Sequence, residues 1–423
     1  MSGEVLAPQG ETRSARAALR AGELDAAQAA FAARLRADPQ DATALFGMSA
    51  IMRRQRRDRE ARRLLKEAAR ARPIERHADA DPGHAILRPR CIDAANFCAV
   101  RRPRGNFETR FKGGHFSLSN LLEDEKRNLV TVNLVNGDPA PLYEAGPAWL
   151  LLNPIACADR SGASLKAISA FLRDRPELPV INRPEAVART TRDGNYRRLS
   201  RIPNVEFPVT LRLSPRDGED AFLASLAKAG LSLPLIVRAT GRQTGRQMFL
   251  CTSPDELRRA FRSLQKKREI YVIAYSDCRG GARFHHKARA FFIDGKVYPV
   301  AWLSSDAWQI HSGDRYRVMS TDRACQRAEQ LYLNDPEAAC GAAAWRALHE
   351  VGAALGLDFA GVDFTLTPGG KLFIFEANAA MRHNFDHVPS FPYTGPALER
   401  ITAAFSSMVD ERALAPAQCD PVA

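Results

Sequence analysis

Residues 362–378, VDFTLTPGGKLFIFEAN, constrain the fold more tightly than any other stretch of this chain. Two runs of alternating side-chain character flank Pro368-Gly369-Gly370, the pattern of a β-hairpin with two unlike faces. With the turn centred on Pro368-Gly369, Thr367 pairs with Gly370 and Asp363 falls opposite Ile374. Asp363, Ile374, Glu376 and Asn378 then share one face, while Val362, Phe364, Phe373 and Phe375 share the other. The apolar face belongs on a core. The polar face brings two carboxylates and an amide within diagonal reach, and like charges on a half-buried sheet repel. A hard divalent cation with oxygen ligands, Mg²⁺ first, resolves that repulsion. The alternative is an ordinary hairpin whose acidic residues face water.

Further strands surround this hairpin. PLIVRAT (234–240), QMFLC (247–251), IYVIAYSD (270–277) and KARAFFIDGKVYPVAWL (287–303) are β-rich, with a hairpin turn at Asp294-Gly295 and helices expected at about 254–266 and 336–356. Residues 206–410 are expected to form one domain and 411–423 a tail. Before it, NLVTVNLV (128–135), AWLLLN (148–153), a helical stretch at 162–174 and PVIN (179–182) predict a small parallel α/β layer, a Rossmann-like domain over 128–205. Residues 76–127 are expected to be linker and irregular chain, because IERHADADPGHAILRPR (74–90) mixes Pro, Gly and charge without period.

Residues 1–75 are helical in period and repeat at an offset of 34: Ala27 recurs as Ala61, Phe31 as Leu65 and Pro39 as Pro73. This resembles tetratricopeptide repeats, where a small residue lets two helices cross, a bulky one fills the gap and proline ends the second helix. Gly22 stands at the expected turn, and Arg56 replaces glycine at the matching position of the second copy. Such an all-α segment suits a peptide or protein substrate, or pairing into a homodimer.

Composition sets the outer bounds. At 423 residues the chain exceeds one hydrophobic core, and 45% hydrophobic with 26% charged residues is globular. A net charge of +13 suits phosphate, anionic peptides or nucleic acid. No helix-turn-helix or aromatic-interleaved pattern supports nucleic acid. Eight cysteines without a CxxC pair suit reduced thiols. With no signal-peptide-like or long apolar stretch, a soluble cytoplasmic protein without a membrane partner is expected.

Over residues 128–405 or so the sequence resembles the ATP-grasp superfamily, in particular its glutathione-synthetase-like and ribosomal-protein-modifying ligases. The resemblance implies an α+β ATP-grasp fold with a preceding Rossmann-like domain. It implies that Asp363 holds one metal ion, Glu376 bridges two and Asn378 holds the second, with Mn²⁺ as an alternative to Mg²⁺. Arg238 stands where the family usually carries lysine, followed by a loop with Gly241 and Gly245, whose backbone amides suit ATP phosphates. The family's other lysine is absent from ARTTRDGNYRRL, where Arg192, Arg197 and Arg198 are the cations at hand. By position, Ile273, Ala274 and Tyr275 form the strand that holds adenine, and Asp277 lies at the ribose. Lys287 and Arg289 share a strand face, and Arg289 is the candidate to neutralise charge during phosphoryl transfer.

Trp308 and His311 are candidate substrate residues, and Arg382, beside His383 and Asn384, is a candidate partner for a carboxylate or acyl phosphate. Together these imply an ATP-dependent carboxylate–amine ligase that forms an acyl phosphate and captures it with an amine. A kinase on the same scaffold, and a catalytically silent repeat-containing adaptor, are the alternatives.

Overall fold

The computed structural model describes residues 9–76, 85–101, 106–116, 118, 120–122, 127–241, 247–379 and 381–414. The fold is mixed α/β with several sheets. By its internal contacts the chain separates into two compact units, 1–116 with 127–155 and 160–178, and 117–126 with 156–159 and 179–423. Residues 128–205, expected as one domain, are thus divided, with 156–159 and 179–205 in the second unit and the rest in the first. Among the described residues no helix is long and apolar enough to cross a membrane.

The first unit begins with four helices, α1 (Gln9–Ala21), α2 (Leu24–Ala37), α3 (Ala42–Arg54) and α4 (Asp58–Ala71), each packed on the one before it. Ala27, Phe31, Ala61 and Leu65 all lie in its core. α2 and α3 approach closely because Gly47 has no side chain: a Cβ there would stand 2.4 Å from the Phe31 ring. Asp41 starts α3 by accepting the Ala44 N–H at 3.1 Å.

Strands β1 (Ile74–Glu75), β2 (Ile86–Cys91), β5 (Leu129–Leu134) and β6 (Leu150–Leu152) form a sheet in the order β1-β5-β2-β6, and β5, β2 and β6 are parallel. A separate hairpin pairs β3 (Asn96–Arg101) with β4 (Phe107–Lys112). The linker expectation for 76–127 is therefore corrected, since β2, β3 and β4 all fall inside it. β2, ILRPRC, escapes sequence reading because Pro89 sits in a central strand and two arginines replace the expected apolar run. Strands β5 and β1 supply acceptors for those arginines: Arg88 donates to the Thr131 hydroxyl at 2.8 and 2.9 Å, and Arg90 to Asn133 at 3.0 Å and to Glu75 at 2.9 Å.

The second unit contains short strands β7 (Val180–Ile181) and β8 (Val205–Glu206), then β9 (Thr210–Leu213), β10 (Leu235–Ala239), β11 (Met248–Cys251) and β12 (Ile270–Ala274). β9 to β12 form an antiparallel sheet in the order β11-β10-β12-β9. Helices Glu219–Lys228 and Pro254–Leu264 share its core through Phe222 and Phe261. The second of these starts where its sequence dictates: Ser253 and Glu256 form a capping box, and Pro254 needs no N–H in the first turn.

β13 (His285–Ile293), β14 (Lys296–Ser305), β15 (Phe359–Leu366) and β16 (Leu372–Asn378) join β8 in a second sheet, ordered β14-β13-β15-β16-β8. Helices Ala342–Leu355 and Gly395–Leu414 pack on it. The single helix expected over 336–356 is two, because Gly341 at φ +81° breaks it.

Candidate active site

The carboxylates of the C-terminal hairpin meet, by a different register from the one the turn suggests. Leu366 pairs with Leu372, so the loop is one residue longer than a turn closed by Thr367 and Gly370. That register alone would set Asp363 opposite Phe375 and turn Glu376 to the other face. An irregularity after Asp363 takes up one extra residue of β16 and sets Asp363 directly opposite Glu376, with Gly361 opposite Asn378. Ile374 instead pairs with Phe364 on the apolar face and is fully buried, which corrects its expected position.

On the next strand Arg289 lies opposite Asp363, so Arg289, Asp363 and Glu376 form one row across three strands. Arg289 grips both oxygens of Asp363, at 2.7 and 2.9 Å, and Lys287 Nζ lies 3.5 Å from the same carboxylate. Lys287 also donates to the Ile310 carbonyl at 2.7 Å. Burial works to raise the Asp363 carboxyl, but the Arg289 and Lys287 charges outweigh it and hold it below its ordinary value. Glu376 behaves alike: burial raises it, Arg192 lowers it, Asp363 opposes, and Arg238 and Lys287 tip the balance downward.

Arg192 is the cation that reaches the site, donating to Glu376 and, at 3.1 Å, to the Phe375 carbonyl. It begins the helix Arg192–Leu199, capped by Thr191, so the adjacent Asp193 points elsewhere. Arg197 pairs with Asp193 at 3.2 Å, and Arg198 donates to the Ala354 carbonyl at 3.1 Å.

Arg238 is buried at the end of β10 opposite Tyr271, and burial, then Arg192, lowers its guanidinium to about 9. Gly241 follows at φ +63°, its N–H donating to Asp159 at 3.3 Å; Gly245 lies outside the described residues. Sequence reading missed the network beneath. Tyr271 donates to Asp159 at 2.8 Å, and Arg212 donates to Asp159 at 2.7 Å, Asp193 at 2.9 Å and Glu269 at 3.0 Å. Its one signal was Asp193, set beside Arg192.

β12 is a central strand, which narrows the adenine expectation. The Ala274 N–H donates to Val209 at 3.0 Å and the Tyr275 N–H to Pro234 at 3.2 Å, so neither is available to a base. Ile273 is buried between β10 and β9. Asp277 is gripped by Arg279 at 2.6 and 3.0 Å, which holds its carboxyl down to about 2.

The candidate substrate residues divide. Trp308 meets Tyr275 edge to face at 5.9 Å, while His311 is exposed and its backbone N–H binds Asp314 at 2.8 Å. Arg382 is exposed and pairs with Asp386 at 2.6 Å, a carboxylate Asn384 also binds. His383 turns inward, 3% exposed, with Nε2 3.0 Å from the Thr402 hydroxyl, and burial lowers it to about 4.

Since the unfolded imidazole titrates near 6.5, stability is undiminished by His383 above that pH and erodes as pH falls toward 4. The loss is on the order of 3 kcal/mol at 1.36 kcal/mol per unit. His383→Gln is expected to flatten the pH dependence of Tm across this window; an unchanged slope would show that His383 does not carry it.

Among the described residues no group of three or more His, Cys, Asp and Glu side chains could hold a metal ion. Asp363, Glu376 and Asn378 supply instead two carboxylates and an amide. That all-oxygen set fits Mg²⁺ or Mn²⁺ when phosphate and water complete the shell. Four cationic side chains, Arg192, Arg238, Lys287 and Arg289, act on the two carboxylates, so the site has positive charge to offer a polyphosphate.

No protein-family model and no curated protein matches this chain. Among solved structures it is similar to D-alanine–D-alanine ligase from Bacillus anthracis, at TM-score 0.46 and 13% identity, covering 78% of this chain and 98% of that one. It is also similar to a RimK domain ATP-grasp protein from Sphaerobacter thermophilus, at TM-score 0.42 and 16% identity, covering 76% and 98%. A third similar structure is the ADP complex of purK, N5-carboxyaminoimidazole ribonucleotide synthetase, at TM-score 0.45 and 11% identity, covering 73% of each chain. Likeness of this degree assigns no activity.

Proposed function

We propose that this chain is an ADP-forming, ATP-dependent carboxylate–amine ligase of the ATP-grasp type. Its helical N-terminal region, read as tetratricopeptide-like, would serve a peptide or protein substrate, and a Rossmann-like layer would precede the ATP-grasp domain. The observation that carries this reading is the row Arg289–Asp363–Glu376, closed by Arg192 and flanked by Lys287. A purely structural ion-pair network has no need of two facing carboxylates and a surplus of cations.

ATP phosphates would be received by Arg238, with Arg192, Lys287 and Arg289 drawn to the transferred group. Two Mg²⁺ ions at Asp363, Glu376 and Asn378 would offset the charge of the triphosphate and of the developing phosphoryl group. A substrate carboxylate oxygen bonds to the γ-phosphorus as the bond to ADP breaks. The amine then bonds to the acyl carbon, phosphate departs, and the amine proton passes to solvent. No protein nucleophile is required, since Asp363 and Glu376 would serve as metal ligands.

The test is product profiling with ATP, Mg²⁺ and pools of amino acids and peptides. ADP and phosphate are expected in equal amounts with a product whose mass is the two substrates less water. Glu376→Gln should lower the rate by about 100-fold or more, since the charge it provides is worth several kcal/mol. A stable phosphorylated product with no free phosphate would make the chain a kinase. Neither product nor ADP in any pool would remove the reading.

A further inference from the structure

Residues 53–63, RRQRRDREARR, set seven arginines against Asp58 and Glu60 where α3 turns into α4. Along α4, Arg59, Arg62, Arg63, Lys66 and Arg70 recur at three- and four-residue intervals and share one face. The opposite face buries Ala61, Leu64, Leu65 and Ala68. At 1.5 Å per residue the stripe runs about 16 Å. Arg63 is engaged by Glu67 at 2.8 Å and Lys66 by Asp93, whereas Arg59, Arg62 and Arg70 occupy exposed positions.

The turn itself distinguishes this surface from an ordinary solvated face. Arg56 adopts φ +63°, in the left-handed region, at the position where the preceding helical turn uses Gly22 at φ +89°. An L side chain there costs stability relative to glycine. Only the Arg56 backbone serves the turn, its N–H donating to Arg53 at 3.2 Å, and its side chain is exposed. A strained conformation kept by an exposed side chain points to something that side chain touches.

We propose that the α3–α4 turn and the outer face of α4 dock an acidic peptide segment of a partner protein, with Arg56, Arg59 and Arg62 as its principal contacts. Neighbouring arginines of the same turn already hold carboxylates, Arg53 with Asp58 at 2.8 Å and Arg57 with Glu60 at 2.5 Å. Glu60 and Glu67 run along one edge of the stripe, leaving room for a narrow anionic chain and repelling a broad polyanion. A single-stranded nucleic acid would want exposed aromatic rings to stack on, and among the described residues the exposed large apolar side chains all lie elsewhere. The inference does not rest on the ligase reading; it names what the helical region recognises.

Fluorescence anisotropy on the full chain tests it, with a labelled Glu/Ala peptide of about 12 residues cut to the stripe at 1.5 Å per residue. Binding is expected to weaken with salt, and the pair Arg59→Glu and Arg62→Glu to weaken it about tenfold or more. Arg56→Gly should weaken binding about threefold while raising Tm, two opposed effects that follow only from a strained functional side chain. Glu376→Gln should leave docking intact, which separates failure here from failure of the ligase reading. The proposal is overturned by equal binding of a neutral control peptide of the same length with Gln in place of Glu, by affinity indifferent to these arginines, by a Tm that falls in Arg56→Gly, or by tighter binding of an RNA or DNA oligomer of matched charge.

Discussion

Mn²⁺ titrated into the protein alone is expected to bind at least about tenfold more weakly than it binds with ADP present. Both Asp363 oxygens are held by Arg289 at 2.7 and 2.9 Å, Lys287 stands 3.5 Å away, and Glu376 is held by Arg192. A cation arriving alone must displace guanidinium groups that then have no acceptor, and it enters a region already positive. A polyphosphate offers those groups new acceptors, so the carboxylates are released as the nucleotide binds. Because coupling is reciprocal, Mn²⁺ should tighten ADP binding by the same factor. Arg289→Gln should strengthen binding of Mn²⁺ alone and shrink the coupling. Free-ion electron paramagnetic resonance with calorimetry reads all of these quantities. Equal Mn²⁺ affinity with and without ADP would show that the ion pairs are no obstacle.

The same row of residues shows how far sequence reading reached. Alternation along residues 362–378 placed Asp363, Glu376 and Asn378 on one face, and they are there, although both register steps were missed. The loop holds one residue more than a Thr367–Gly370 closure, and β16 absorbs another after Asp363. Side-chain period is two, so two one-residue displacements cancel for Glu376 and Asn378 but not for Ile374, which lies between the two displacements. Composition of a strand does not encode a bulge; packing of its neighbours does.

Partners across long chain separations were the least legible. Arg289 and Lys287 were recognisable as paired cations on one strand face, but nothing local says that Asp363 will occupy them. Arg192 was one of three arginines in a short run, and only the capped helix at Thr191 decides which of them faces Glu376. β2 was invisible for a different reason: Thr131 and Asn133 on β5 make two arginines and a proline tolerable in a central strand. The strand expected to hold adenine at Ile273–Tyr275 ends at Ala274, and only the tertiary fold determines that the Ala274 and Tyr275 N–H groups are spent on Val209 and Pro234.

Glu329→Ala is expected to destabilise the protein by about 3–5 kcal/mol, as removal of one partner from a buried ion pair does. Glu329 is fully buried and Arg315 is 3% exposed. Arg315 holds both Glu329 oxygens, the Trp302 N–H donates to one at 3.0 Å and the Tyr393 hydroxyl to the other at 2.9 Å. Truncation leaves a guanidinium uncompensated and orphans two further donors. The pair Arg315→Met and Glu329→Leu removes both charges together and should recover the part of the loss that comes from the uncompensated guanidinium, while the Trp302 N–H and the Tyr393 hydroxyl still lack their acceptor. Glu329 belongs to the helix Arg323–Asn334, whose Tyr332 donates to the Arg289 carbonyl at 3.0 Å, so the helix touches the strand that grips Asp363. Arg315 closes the segment that carries Trp308, His311 and the Ile310 carbonyl bound by Lys287. Tm of the single and paired variants separates charge from packing, and Mn²⁺–ADP coupling in the paired variant then separates packing from positioning. Recovered Tm with coupling reduced would mean that the ion pair orients the carboxylate row; recovered Tm with full coupling would confine Arg315 and Glu329 to holding the fold.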